Sequence, residues 1–252
     1  WANTKGRASY DDRNGSVLEA VHALWDGTGT NAVSYGSSGI LAFGDGDGQN
    51  MRSVTSLDVA AHEFAHTVVA HTARLGNRGV PGALNEHVAD AFGLFTERRM
   101  GNEFGQWNFL MGEEVMIRRL ALRNMEDPQS VQNGVTGNDP DHMSLFYGGT
   151  EDGGGVHLNA NILDQWLYLW LNGGINRTSQ IGVTGLTQRL GEEDAFRMGE
   201  RAYYRAITTY ITPNSSFESF RAAMLQSVAD LAGQESAEFS EAWDAFEAIG
   251  LR

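Results

Sequence analysis

His62-Glu63-Phe64-Ala65-His66 is the segment of this chain whose residue types and spacing best suit chemistry. Residues four apart lie one above the other on a helix face, so His62 and His66 aim imidazole nitrogens at one point. Such a pair is a ligand set for zinc. Glu63 is rotated by about 100° from His62 around the helix axis. It can reach a water on the metal without ligating the metal, the position of a general base. A pentapeptide of this kind is also compatible with two histidines packed in a core helix. The second motif narrows the choice. Asn85-Glu86 falls in the next predicted helix, and a helix–turn–helix can fold back to bring Glu86 to the third zinc position. Asp90 follows by four residues, shares the face of Glu86, and is placed to accept the second N–H of a ligating histidine.

Other metal patterns fit less well. A third histidine six residues after His66 would mark the metzincin pattern, but Thr72 stands there, and Val69 stands at the glycine position. The run Gly44-Asp45-Gly46-Asp47-Gly48 fails as an EF-hand, because its twelfth position from Asp45 is Ser56. It reads as a tight β-turn. His22, His71, His87 and His142 show no ligand order and read as structural or solvated. With no cysteine in the chain, any metal must be held by histidines and carboxylates.

The elements that position these residues follow from local signals. The first fifty residues read as short strands and turns, Ile40–Phe43 among them. Ser56 is a candidate N-cap with Asp58 in the first turn of a helix running to about Leu75. A second helix starts near Pro81 and stops before Gly101. A loop-rich region spans 101–155. Helices are predicted over Asn159–Asn172 and Glu192–Ile211. Another opens at a capping box in Ser215-Ser216-Phe217-Glu218 and runs to Ala232, and Ser236 caps a last one that ends before Gly250. The expected fold class is α+β: a shortened β-containing N-terminal lobe, a long central zinc-binding helix, and a mainly α-helical C-terminal lobe. The expected division is 1–77 and 78–252.

The chain has 252 residues, 41% of them hydrophobic and 20% charged, as in a folded water-soluble protein. With 32 acidic against 18 basic side chains, the formal charge is −14, which repels a polyanion and argues against nucleic acid as a partner. Its best apolar run, Ile162–Leu171, is about half the length a membrane span needs and carries Asp164 and Gln165. No membrane partner is expected. The chain starts at Trp1, which suggests a removed targeting segment or a processed fragment.

Several separated motifs together resemble the thermolysin-like family of zinc neutral metallopeptidases, the gluzincins. They are Asp58–His66, Gly82–Gly93, Asp139-Pro-Asp-His-Met-Ser144 and Asp152-Gly-Gly-Gly-Val-His-Leu-Asn159, with a C-terminal stretch from Tyr203 to Gly250. The likeness covers roughly residues 7–252 and begins several dozen residues into that family's catalytic domain, so the front β-rich section is shortened.

The resemblance implies a secreted, monomeric endopeptidase acting on peptides or proteins, with one zinc held by His62, His66 and Glu86 and with Glu63 as base. It implies that His157 stabilises the oxyanion and Asp152 orients it. Asn85 and Asp90 support the zinc histidines. Arg123 binds the carbonyl past the cut and touches the Glu86 region, and Asn31-Ala32 holds the peptide backbone. Met51, Val54, Val59, Met111, Val115 and Leu122 line an apolar pocket, which implies cuts on the amino side of bulky hydrophobic residues. Where the family carries an oxyanion-donating tyrosine, this chain has Asn77, a shorter donor. One structural Ca²⁺ is implied at Asp58, Glu97, Asn108 and Glu113, and not a pair, because Leu110 and Asn108 replace two acids. The alternatives are a catalytically silent zinc scaffold of the same fold and an exopeptidase. The latter lacks an obvious acidic anchor for a free amino terminus.

Overall fold

Ser56 takes an extended conformation and opens helix α1 (Leu57–His71), which carries the His-Glu-x-x-His segment. The cap position is the expected one, but the Ser56 side chain makes no capping bond; Asp58 supplies the negative charge in the first turn. The helix ends at His71 rather than near Leu75. Thr72 is non-helical, and Arg74 turns left-handed with its N–H on Val69 O, which closes the last turn. In the computed structural model, residues 6–24, 27–104 and 107–252 are described, with the backbone alone for 102–104.

Helix α2 (Gly79–Phe104) runs through Gly101 instead of stopping ahead of it. A single interior glycine costs about 1 kcal/mol relative to alanine, too little to end a long helix. The chain divides into two compact units, one of residues 1–74 and 88–123, the other of 75–87 and 124–252. One of the boundaries falls inside α2, between His87 and Val88.

In the first unit, β1 (Leu18–Ala20), β2 (Ala32–Ser34) and β3 (Ile40–Phe43) form a sheet of order β1-β3-β2. β1 runs parallel and β2 antiparallel to β3, with Ala32 opposite Phe43. Leu41, Phe43, Val68, Val69, Leu94, Met111 and Val115 are all buried. The Gly44–Gly48 turn is organised by Asp47, whose carboxylate accepts from the N–H groups of Gln49, Asn50 and Met51. Those bonds hold its pKa far below the usual range.

The second unit is mainly helical: α3 (Asp152–Asn172), α4 (Leu186–Leu190), α5 (Glu192–Thr209), α6 (Phe217–Ala232) and α7 (Ala237–Ala248). From Gly155 to Leu171 only His157 on α3 is exposed, which explains why this helix is apolar around most of its circumference. Trp166 is its centre. It stacks on Trp170 and Phe246 at centroid distances of 5.2 and 4.2 Å and donates its indole N–H to Ala242 O. The capping box of α6 is shifted by one residue from the expected one. Ser215 Oγ accepts from Thr212 N in the preceding turn, so Ser216 becomes the cap and Ser219 its reciprocal partner. Ser236 caps α7 as expected. The Asp139–Ser144 motif is structural here. Asp141 is buried and accepts from Gln129, Thr178 and Asn176, while His142 packs against Gly250. Among the described residues, no helix is long and apolar enough to cross a membrane.

Candidate active site

His62 and His66 stand on one face of α1 with their Nε2 atoms 2.9 Å apart and their rings perpendicular. On the far side of the His62 ring, Nδ1 lies 2.8 Å from Asp90 Oδ1. Donation of Nδ1–H to that carboxylate leaves the Nε2 lone pair turned toward His66. This is the tautomer that a metal needs. Two ligand nitrogens on a tetrahedral zinc stand about 3.3 Å apart at ordinary Zn–N distances, close to the spacing found here. The donor set therefore fits zinc.

Asp90 is fully buried, and Arg123 reaches it with two guanidinium nitrogens, Nε and Nη2. Burial alone would raise the Asp90 pKa, but Arg123 and His62 outweigh it and hold the carboxyl far below the usual range. Arg123 itself is buried. Its pairing with Asp90 was not legible from the spacing and gives the arginine a structural task whatever else it touches. Glu63 follows His62 on α1 and is buried. Helix α2 is continuous, so Glu86 lies one turn ahead of Asp90 on the same face. Asn85 donates to Gly76 O at 3.3 Å.

In the second unit, Asp152, Gly153, Gly154 and Gly155 are four successive left-handed residues. This turn brings the Asp152 carboxylate under the first helical turn of α3, where it accepts from the N–H groups of His157 and Leu158 and from His157 Nδ1 at 2.6 Å. Burial pushes Asp152 up, yet the bonds from His157 and the two amides bring it below its ordinary value. His157 Nε2 is left facing Glu86 Oε2 at 3.4 Å. Glycines also permit the close approach of α2 here. A Cβ on Gly82 would stand 2.5 Å from Val156 Cγ1, and one on Gly154 would stand 3.2 Å from Gly79 Cα. Asn77 is exposed in the turn between α1 and α2.

The remaining expected positions lie in the first unit. Asn31 and Ala32 sit at the start of the edge strand β2. Asn31 O accepts from Gly44 N, and Tyr35 donates to Ile40 O, so in the alternating antiparallel pattern Ala32 turns its backbone groups away from β3. Val54, Val59, Met111 and Val115 are buried, and Met51 and Leu122 are half-buried. Backbone bonds from Arg52 N to Val115 O and from Leu122 N to Met111 O tie these segments together.

Asp58 is buried and accepts from Gly112 N. Glu97 is pushed up to about 8 by burial and by the charges of Asp58 and Glu113. Glu113 is raised too, first by burial, despite a bond from Asn108. One oxygen of Glu97 and one of Glu113 are buried without a hydrogen bond. Carboxylate oxygens of this kind are the donor type that a hard cation such as Ca²⁺ takes.

Residues 1–70 match the family model described as the thermolysin metallopeptidase catalytic domain, and residues 73–251 match that of the thermolysin metallopeptidase alpha-helical domain. The chain belongs to the thermolysin metallopeptidase family. Among relatives in this family, it is 36% identical over 255 residues to the thermolysin of Alicyclobacillus acidocaldarius subsp. acidocaldarius, covering 100% of this chain and 42% of that protein. To neutral protease B of Bacillus subtilis (strain 168) it is 34% identical over 257 residues, covering 100% of this chain and 42% of that protein. It thus spans less than half the length of these curated relatives. The precursor of protealysin, a metalloproteinase from Serratia proteamaculans, shares the fold with a TM-score of 0.79 at 23% identity, over 100% of this chain and 74% of that one.

Proposed function

We propose that this chain is the catalytic part of a zinc-dependent endopeptidase that cuts on the amino side of bulky hydrophobic residues. The observation that carries the reading is the pair of facing Nε2 atoms on α1, with His62 fixed from behind by a buried, arginine-paired aspartate. In this reading His62, His66 and Glu86 each give one ligand atom to a single ion. A zinc ion bound there would supply Lewis acidity toward a peptide carbonyl and lower the pKa of a water. Glu63, one residue past the first ligand, takes the proton from the attacking water and delivers it to the leaving amine. His157, with Nδ1 held by Asp152, offers Nε2–H to the oxyanion that develops on the substrate. The outward backbone groups of Ala32 bind an extended peptide as an added strand, the mode that an open sheet edge favours. Arg123 meets the carbonyl beyond the cut, Asn77 is a weaker second donor, and the 51–59 and 111–122 segments form the apolar pocket. Its two methionines, Met51 and Met111, make it adaptable. One Ca²⁺ at Asp58, Glu97, Asn108 and Glu113 ties the start of α1 to the 97–113 segment. The chain acts outside the cell as a monomer.

The test is hydrolysis of a blocked internal peptide with and without a zinc chelator. Chelator-sensitive cutting before Leu, Phe, Ile or Val is expected. No cutting at full zinc occupancy would favour the silent scaffold, for which the exchange of an oxyanion tyrosine for Asn77 argues. Glu63→Gln is expected to keep zinc and lose at least ~10²-fold in kcat; retention of more than about a tenth of kcat would remove Glu63 from the role of base.

A further inference from the structure

His87 follows Glu86 directly, turned by about 100° around the α2 axis. It is fully buried, as are Asp164 on α3 and Tyr203 on α5. His87 Nδ1 lies 2.7 Å from Asp164 Oδ1, and Tyr203 Oη lies 2.6 Å from His87 Nε2. Burial, then the charge of Asp164, pushes the Tyr203 phenol well above its usual range. Tyr203 thus keeps its proton and donates to Nε2, and Nδ1–H donates to Asp164. Phe220 packs edge-on against the imidazole at 5.3 Å.

Three buried polar side chains are costly to desolvate, and apolar residues of similar volume would serve packing as well or better. The location of the network supplies a reason for it. The same stretch of α2 meets α3 at a second point, where Glu86 Oε2 faces His157 Nε2 at 3.4 Å. His157 and Asp164 share one face of α3, about two turns apart. One contact would leave α2 free to roll against α3. Two contacts from adjacent residues, about 100° apart around the axis, fix the roll. With the roll fixed, the backbone at Glu86 cannot turn relative to His157 without straining the buried His87–Asp164 bond.

We propose that the His87–Asp164–Tyr203 network positions Glu86, setting where its carboxylate sits relative to His157 and to the ion it would hold. This inference rests on the zinc reading given above. His87 is a positioning residue and touches neither substrate nor metal.

The test compares the parent chain with Tyr203→Phe, Asp164→Asn and His87→Leu in zinc-loaded and cobalt-substituted forms. Zinc affinity is expected to fall by about 10-fold or more, in the range typical of groups that orient metal ligands. kcat is expected to fall by a similar factor at nearly unchanged KM, and the cobalt d–d absorption to change shape. A lower melting temperature with parental zinc affinity, kcat and cobalt spectrum would overturn the proposal, since packing alone predicts that result. If His87→Leu does not fold, the two near-isosteric variants decide. A parent that binds no zinc would overturn the zinc reading itself. A parent that binds and cleaves, with variants unchanged in all three readouts, would overturn only the network.

Discussion

His62 and His157 are each held through Nδ1 by an aspartate, at 2.8 and 2.6 Å, yet the two pairs are built differently. The His62 pair is closed: the side chains are 8% and 0% exposed, and Arg123 balances the buried charge. The His157 pair is open, at 55% and 18%, and besides His157 itself Asp152 draws on backbone amides of the same turn rather than on a buried arginine. A group that must hold one position needs the first construction. The role proposed for His157, meeting an incoming peptide, suits the second.

That contrast can be broken by experiment. Asp90→Ala is expected to have the largest effect, because it removes the carboxylate that balances the buried charge of Arg123. The cost is about 3–5 kcal/mol of stability, with zinc affinity down by about 10–100-fold, read by denaturant melts and metal competition. Gly154→Ala tests the frame of the open pair. Gly154 has φ 94°, where an L-residue is strained, and the added Cβ meets Gly79. A loss of about 1–2 kcal/mol is expected, and stability equal to the parent would contradict the strain argument.

Asp152→Asn should move stability least, by about 0–1 kcal/mol, as befits a partly exposed pair. Its effect belongs in kcat, down by about 10-fold with zinc retained, in the manner of a lost orienting partner. Loss of zinc in this variant would erase the distinction between the two pairs.

A pH experiment separates both pairs from the Asp58–Glu97–Glu113 group. Asp90 and Asp152 have depressed pKa values, so their contribution is present above the ordinary carboxylate range and is lost as pH falls through the folded-state values. Glu97 has the opposite sign. Its folded pKa is raised from 4.5 to about 8, so in calcium-free protein it lowers stability progressively as pH rises through that window. Calcium is expected to raise the melting temperature more at pH 8 than at pH 5, and Glu113→Ala to remove the increment. Melting curves indifferent to calcium at both pH values would exclude the ion.

The closed pair was partly legible in the sequence, because i,i+4 spacing is backbone geometry and Asp90 repeats it on the next helix. Arg123 was not, since nothing in its neighbourhood points to an aspartate 33 residues back. The α6 cap slipped by one residue because two serines compete, and the preceding turn claimed the first. The five-residue helix α4 went unseen, being too short for periodicity to register. His87 was read as structural. The single acid in the apolar run of α3 was the available hint, but Asp164 and Tyr203 lie 77 and 116 residues from His87 along the chain. Whether the family's activity is retained depends on groups of that long-range kind as much as on the motif.

The turn from Asp152 to Gly155 is, in effect, a short piece of mirror-image helix inside an L-protein. Its consequence is genetic. From the four glycine codons taken together, one base change leads to Ala, Val, Ser, Cys, Arg, Trp, Asp or Glu, and of these Asp alone visits left-handed backbone with some ease. Three neighbouring codons are therefore nearly closed to drift, although the side chains they encode amount to hydrogen atoms. A mutational scan of the chain should find there a tract about as intolerant as the His62–His66 motif, for want of substitutes that accept a left-handed backbone.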